Sequence, residues 1–248
     1  MVKKALKELI VQYSVEKVEK HLFSTFIDEQ NLSLQSCEVL VEYFAGFNQE
    51  IEIIEKVKRL NIRTFKDLQN LLELLIPIET KKLNGAFFTP DFIVDFIINE
   101  LEPKSSDETL DPSCGCGAFL IGLVDYYRNR FNKSIKSTIK ENIFGADILE
   151  YNSIRTKVAL SIYALMYGEV LENSDFNLIT VDSLKYNWNK QFDNIIGNPP
   201  YIKFQDLDEI TRSSLLYSYK SISNGTYNLY FAFIELGYLL LKENGKLG

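Results

Sequence analysis

Four consecutive residues, Asn198-Pro199-Pro200-Tyr201, bring together an amide, a rigid backbone and an aromatic ring directly after the apolar run 193–197. Each proline fixes φ and favours extended geometry in the residue before it, so the Pro199 carbonyl is held in one direction. The Asn198 side-chain oxygen and this carbonyl can accept the two hydrogens of an amine on a flat ring, and Tyr201 can stack on that ring. The motif favours a site that activates an aromatic amine, although a simple Pro-Pro turn after a buried strand is the alternative.

A second segment, residues 111–120, carries two glycines where a predicted strand turns into a predicted helix. Gly115 and Gly117 allow a tight turn and a close approach of the backbone to a ligand. In open α/β sheets, ligands bind at the carboxyl ends of the strands. The carboxylate of Asp111 suits an ammonium group and argues against a dinucleotide pyrophosphate, which prefers bare amides at a helix N-terminus. An ordinary turn between strand and helix is the alternative.

Two further acidic residues each follow a predicted strand. Asp147 can accept hydrogen bonds from both ribose hydroxyls of a nucleoside cofactor. Asp182 can accept the amino group of a bound adenine, although an aspartate at the end of a strand is also a common turn former. With Asp111 on an ammonium group, the three carboxylates describe a pocket for S-adenosylmethionine, whose methyl group would face the amine held by Asn198.

These motifs resemble those of the N6-adenine DNA methyltransferases of restriction-modification systems. The order of an upstream segment (85–90), a cofactor loop (111–120) and the motif 198–201 resembles the gamma group, which includes type I modification subunits and fused type IIG enzymes. The resemblance covers about residues 80–248 and implies that the catalytic residues are Asn198, Pro199, Pro200 and Tyr201. It implies that S-adenosylmethionine is bound by Thr89, Pro90, Asp111, Ser113, Gly115, Gly117, Phe119, Asp147, Ile148, Asp182 and Ser183.

The same resemblance implies double-stranded DNA as the substrate, through a recognition domain beyond residue 248, and a specificity or restriction subunit as a partner. Two other functions stay open at this point. One is a protein-glutamine N5-methyltransferase, which uses a similar motif to hold a side-chain amide. The other is a cofactor-binding module with no activity of its own. A C5-cytosine mechanism is set aside, because the loop around Pro199 and Pro200 has no cysteine beside a proline.

Composition limits the other classes of function. The chain has 248 residues, 46% of them hydrophobic, which is enough for a sizeable core. An odd number of cysteines and an N-terminus without an apolar leader predict a cytoplasmic protein. A single histidine, His21, argues against a multi-histidine metal site, and Cys114 and Cys116 are predicted to be small turn residues rather than metal ligands. The net charge of −7 counts against a DNA-binding protein with an overall basic face. The net charge of the whole chain does not, however, determine the local charge of a single cleft.

The elements that must position these residues follow from periodicity. Residues 1–78 have helical spacing of apolar positions and are predicted to form a helical N-terminal domain, with Pro77 near its end. Residues 79–248 alternate strands and helices, which predicts an α/β domain with a Rossmann-like doubly wound sheet, as in class I S-adenosylmethionine-dependent methyltransferases. Strands are predicted near 109–111, 142–148, 178–181 and 194–196. Helices are predicted near 118–131, 152–167 and 227–241.

Two finer predictions concern the ends of elements. Thr89 is expected to cap a helix whose first residue is Pro90. Residues 243–245 are expected to end the last helix, and a fifth strand is expected to begin only at residues 246–248, which predicts a domain truncated at its C-terminal end.

Overall fold

The computed structural model describes residues 2–75, 89–222 and 227–248. Pro77 and the upstream residues 85–88 lie outside this description, so their predicted roles stay predictions. Within the described ranges, no helix is long and apolar enough to cross a membrane. The chain divides into two compact units, Met1–Glu79 with Lys157–Asn173, and Thr80–Thr156 with Ser174–Gly248. The first unit thus takes in a later segment, and the assignment of residues 1–78 as a separate domain stays a prediction.

The first unit is helical, and its described part starts with α1 (Val2–Gln12), α2 (Val15–Glu29), α3 (Glu38–Tyr43), α4 (Ile51–Lys58) and α5 (Phe65–Leu74). The start of α5 is fixed by a capping box, in which Thr64 and Asp67 each accept a hydrogen bond from the other's backbone N–H. Fully buried leucine and phenylalanine side chains, including Leu22, Phe26 and Leu68, form the core of this unit. The predicted helical character is confirmed for residues 2–75.

His21 lies inside this helical unit with no exposed surface. Its Nδ1 lies 2.7 Å from the backbone oxygen of Lys17, and its Nε2 accepts a hydrogen bond from the backbone N–H of Glu50 at 2.9 Å. This pairing requires a neutral ring with the proton on Nδ1. The single histidine therefore joins α2 to the start of α4 and has a structural role.

The second unit contains a parallel sheet of five strands in the order β3-β2-β1-β4-β5. The strands are β1 (Thr109–Asp111), β2 (Ile143–Asp147), β3 (Asn177–Thr180), β4 (Phe192–Ile195) and β5 (Leu241–Leu247). The further helices of the described chain are α6 (Asp91–Leu101), α7 (Ala118–Phe131), α8 (Ile135–Glu141), α9 (Glu150–Met166), α10 (Glu209–Ser218) and α11 (Tyr230–Leu240). The apolar runs of the central strands are buried, with Leu110 and Ile195 paired across β1 and β4. The predicted strand and helix alternation is confirmed.

Two predictions about element ends are wrong. Thr89 does not cap α6, because Pro90 occupies the N-cap position and its carbonyl accepts the first helical N–H groups. The fifth strand begins at Leu241 rather than at 246, so residues 243–245 lie within β5. The turn-forming sequence there coincides with a shift in register, since Phe192 pairs with Leu241 while Asn194 pairs with Lys246.

Candidate active site

The two central strands bring the cofactor loop and the 198–201 motif to the same edge of the sheet. The backbone N–H of Ile196 donates to the Leu110 oxygen at 2.9 Å, which continues the β1–β4 pairing to the strand ends. Directly beyond this bond, a Cβ added to Gly197 would lie 2.7 Å from Oδ1 of Asp111. Glycine is therefore required at 197 for close approach, and the predicted cofactor acid lies against the residue that precedes Asn198.

The Asp111 carboxylate is buried, with 1% of the residue exposed, and its Oδ1 accepts a hydrogen bond from the Ser113 backbone N–H at 2.9 Å. The pKa of Asp111 is raised to about 8, mainly by burial and also by the nearby charge of Asp147, while the Ser113 N–H opposes the shift. The Ser113 hydroxyl is also buried and has no hydrogen-bond partner among the residues that the structure describes. A buried acid and an unsatisfied hydroxyl side by side indicate a place prepared for a polar or cationic ligand.

The two loop glycines are needed for different reasons. Gly115 has φ +53 and open space where a side chain would lie, so its conformation alone favours glycine. Gly117 has φ +83, and an added Cβ would lie 2.7 Å from Cγ2 of Thr156. Thr156 in turn donates its hydroxyl to the Gly115 oxygen at 3.1 Å. The loop is thus packed against the first turns of α9, which sequence reasoning did not anticipate.

The cysteines of this loop are free thiols, and Cys114 is the more deeply buried of the two. Cys114 is buried, and burial raises the pKa of its thiol well above the ordinary value, so it stays protonated. The sulfur of Cys116 lies 3.3 Å from a guanidinium nitrogen of Arg155, itself a buried residue of α9.

Asp147 is held by hydrogen bonds to both carboxylate oxygens. Oδ2 accepts from the Gly115 N–H at 2.9 Å, and Oδ1 accepts from the Leu149 N–H at 2.8 Å and from Nδ2 of Asn152 at 3.0 Å. Burial raises the pKa of Asp147, and these three bonds act against that shift. A carboxylate offers roughly four acceptor positions, so one remains for a ribose hydroxyl while all three of these orienting bonds are kept. Beside it, Ile148 is 64% exposed and presents an apolar surface.

The other predicted cofactor residues differ in what they contact. Asp182 accepts the Leu184 N–H at 3.1 Å and pairs with Lys185 at 3.2 Å, which is the local geometry of a turn former. The Ser183 hydroxyl donates to the backbone oxygen of Pro112 at 2.6 Å, and this hydrogen bond holds the start of the predicted cofactor loop. Phe119 is 3% exposed and belongs to the core rather than to the surface of the site.

Asn198 connects the motif to the start of α6. Its Nδ2 donates to the hydroxyl of Thr89 at 3.1 Å, although the two residues are 109 positions apart in the chain. The Thr89 hydroxyl thus orients the amide instead of capping the helix, while Pro90 lies exposed at the N-cap. The predicted upstream segment and the predicted catalytic motif therefore meet at this point.

A cavity of about 710 Å³ lies beside the motif and within the volume range of small-molecule pockets. Its lining includes Ser113 on the cofactor side and Pro199 and Tyr201 on the motif side. Asn228 and Tyr230 also line it, and the rings of Tyr201 and Tyr230 lie 5.6 Å apart. Sequence reasoning missed these last two residues, because they lie just before and at the start of α11, outside every motif that it used.

The parallel five-stranded sheet with its flanking helices is that of the class I methyltransferase fold, so the predicted fold class is confirmed. The structure resembles a class I S-adenosylmethionine-dependent methyltransferase from Listeria monocytogenes with a TM-score of 0.52 and 16% identity, covering 94% of this chain and 72% of that one. It also resembles the DrdV–DNA complex with a TM-score of 0.60 and 19% identity, covering 97% of this chain and 29% of the other.

The sequence places the chain in a particular family. Residues 20–248 match the model of the Eco57I restriction-modification methylases, and the chain belongs to that family. Among curated relatives, it is 28% identical over 173 residues to the type II methyltransferase M.HincII of Haemophilus influenzae, covering 68% of this chain and 28% of that protein. The chain thus spans about a quarter to a third of the length of such relatives. The predicted resemblance to restriction-modification methylases is confirmed.

Proposed function

We propose that this chain carries the methyl-transfer site of a DNA methyltransferase that modifies adenine at N6. One observation carries the proposal: adjacent strands β1 and β4 place Asp111 against Gly197, the residue before Asn198, and Ser113 and Pro199 line one cavity beside them. Membership of the Eco57I methylase family supports it. Duplex DNA is the proposed substrate, and a specificity or restriction subunit is the proposed partner. The predicted cytoplasmic location stays a prediction.

The residues present fit S-adenosylmethionine as the cofactor. The buried Asp111 carboxylate suits the ammonium group, and the Ser113 hydroxyl, which has no hydrogen-bond partner among the described residues, suits the adjacent polar atoms. Asp147 would hold the ribose, and Asp182 the adenine amino group. When bound, the cofactor supplies an electrophilic methyl group on a sulfonium ion.

The acceptor side is built to make an aromatic amine nucleophilic. Asn198 and the Pro199 carbonyl accept the hydrogens of the amine, which localises its nitrogen lone pair. Thr89 fixes the direction of the amide, and the prolines fix the carbonyl, so both acceptors are oriented before the base arrives. The amine gains positive charge during transfer and loses a proton afterwards, so no base is required before attack.

An adenine in a duplex reaches this position only after it leaves the base stack. Unpairing and unstacking cost a few kcal/mol, and stacking on an aromatic ring returns about 1–3 kcal/mol. Tyr201 is 47% exposed at the mouth of the cavity, where it can provide that surface. The arrangement therefore favours a flipped base over any substrate without a flat ring.

The test is methyl transfer from tritiated cofactor to DNA and to protein in parallel, with the modified nucleoside identified after digestion. We expect N6-methyladenine from the unsubstituted protein and a loss of at least about a hundredfold in Asn198→Ala, in line with removal of one preorganised polar group. Asn99→Ala, on the exposed side of α6, is the matched control. Normal adenine methylation by Asn198→Ala would refute the assignment, and label on protein glutamine alone would favour the glutamine methyltransferase.

A further inference from the structure

The cavity beside Asn198 has a second wall that none of the sequence motifs includes. This wall is formed by Asn228 and Tyr230, which line the same cavity as Pro199 and Tyr201. The two tyrosine rings are 5.6 Å apart and tilted by 47°. Tyr230 also stacks on Phe231, with ring centroids 4.3 Å apart and an interplanar angle of 26°. Tyr201 therefore lies at one end of a fixed aromatic group.

The backbone holds this wall in register with the motif loop. Lys203 and Asn228 form an antiparallel bridge, and the Leu229 N–H donates to the Ile202 oxygen at 2.8 Å. Leu229 itself is buried, which anchors the segment to the core. These bonds begin one residue after Tyr201, so the two walls of the cavity cannot separate without breaking them.

We propose that Asn228 and Tyr230 are the second half of the acceptor site. Tyr230 is a positioning residue that holds the ring of Tyr201 in the orientation needed for stacking. Asn228 presents its amide to the edge of the acceptor ring, where a ring nitrogen beside the amine can accept a hydrogen bond. This inference rests on the proposed function, because it assigns the residues that position the base at that same site.

The chemistry at the edge of the ring supports an amide at position 228. An aromatic amine adjacent to a ring nitrogen offers a donor next to an acceptor, and an asparagine side chain carries the complementary pair. Asn198 and the Pro199 carbonyl accept from the amine, so a further donor is needed for the ring nitrogen. Asn228 is an amide-bearing residue that lines the same cavity and can provide it.

The experiment compares Tyr230→Phe, Tyr230→Leu and Asn228→Ala, each made in the full protein. Tyr238→Leu is the matched control, because Tyr238 lies on the same helix α11, is 75% exposed and does not line the cavity. Three quantities are measured: kcat, KM for DNA, and the dissociation constant for S-adenosylhomocysteine. Thermal unfolding shows whether each variant is folded, and Asn228→Ala keeps the proposal falsifiable if Tyr230→Leu does not fold.

We expect Tyr230→Leu to lower kcat/KM by roughly tenfold or more, the effect of losing one ordered base–aromatic contact. Tyr230→Phe and Tyr238→Leu should retain near-normal values, and Asn228→Ala should raise KM for DNA by a similar factor. Affinity for S-adenosylhomocysteine should stay unchanged in all four. Equal activity of Tyr230→Leu and Tyr238→Leu, or a parallel loss of cofactor affinity, would overturn the role of Tyr230, and an unchanged KM in Asn228→Ala would overturn that of Asn228.

A binding measurement separates this inference from the proposed function. Adenosine is added with the cofactor pocket saturated by S-adenosylhomocysteine, and transfer of magnetisation from protein to the base protons is recorded by NMR. A signal that is present in the unsubstituted protein and Tyr230→Phe but lost in Tyr230→Leu and Asn228→Ala supports the pocket, even if no DNA is methylated. The same signal in all variants refutes it, while absence of DNA methylation by the unsubstituted protein refutes only the proposed function.

Discussion

Binding of the cofactor should depend on pH through Asp111. In the unliganded chain its pKa is raised to about 8 by burial, whereas a ligand ammonium group requires the ionised carboxylate. At pH 7 the carboxyl group must therefore lose a proton before it can pair with the ligand. One pKa unit corresponds to about 1.4 kcal/mol, so affinity at pH 7 should be about tenfold weaker than the limit reached near pH 9.

The assay is calorimetric titration with S-adenosylhomocysteine at several pH values, each in two buffers that differ in heat of ionisation. The difference in heat between buffers gives the number of protons released, which we expect to be about 0.9 at pH 7 and to fall as pH rises through 8. Asp111→Asn is the matched variant, since it keeps the shape of the side chain and removes the titration. An affinity that is flat from pH 6 to 8.5, with no proton release, would refute the reasoning.

The same shift has a consequence for stability with the opposite sign. Because the folded-state pKa of Asp111 lies above its unfolded value of about 3.9, the folded chain binds the proton more tightly. This stabilisation is fully present below the unfolded pKa and is lost as pH rises through about 8. The difference in unfolding free energy between Asp111→Asn and the unsubstituted protein should therefore shift in favour of the variant between pH 6 and pH 9. Denaturant unfolding of both unliganded proteins at the two pH values measures this difference.

Three further predictions follow from single contacts. Gly197→Ala places a Cβ 2.7 Å from Oδ1 of Asp111, and should cost ~1–3 kcal/mol of unfolding free energy and weaken cofactor binding in calorimetry; unchanged values in both would contradict the close approach. Asn152→Ala removes a hydrogen bond to the Asp147 carboxylate and should weaken cofactor binding by roughly tenfold. The far-UV circular dichroism should not change. Unchanged affinity would show that Asn152 does not orient this carboxylate. His21→Ala leaves a buried backbone N–H unpaired and should lower the unfolding free energy by ~2–4 kcal/mol in a urea titration, whereas a loss below about 0.5 kcal/mol would mean that water replaces the ring.

The sheet could be predicted from sequence because its signals are local. Apolar runs bounded by glycine and aspartate mark β1, β2 and β4, and helical periodicity marks α7 and α9. The start of β5 could not be predicted, since residues 243–245 have the composition of a turn whether they end a helix or lie at a register shift inside a strand. Only the pairing with β4 distinguishes these cases.

The candidate site likewise contains residues that local motifs predict and contacts that only the fold creates. Asp111, Ser113 and Asn198 were predicted by their motifs, and the structure brings their loops together at neighbouring strand ends. The contacts of Thr89 and Asn152 could not be predicted, because a hydroxyl or amide near a helix start has the same sequence signature whether it caps that helix or bonds elsewhere in the fold.

The direct β1–β4 pairing also has a consequence for the proposed reaction. Neighbouring strands lie about 4.8 Å apart, and the groups proposed to hold donor and acceptor are attached to two such strands, joined at their ends by the bond from Ile196 to Leu110. In the proposed reaction, the groups that hold donor and acceptor are therefore joined through backbone hydrogen bonds of one sheet. The movement needed to reach attack distance falls on the base, so we expect the speed of base extrusion, and not rearrangement of this sheet, to limit the rate of transfer.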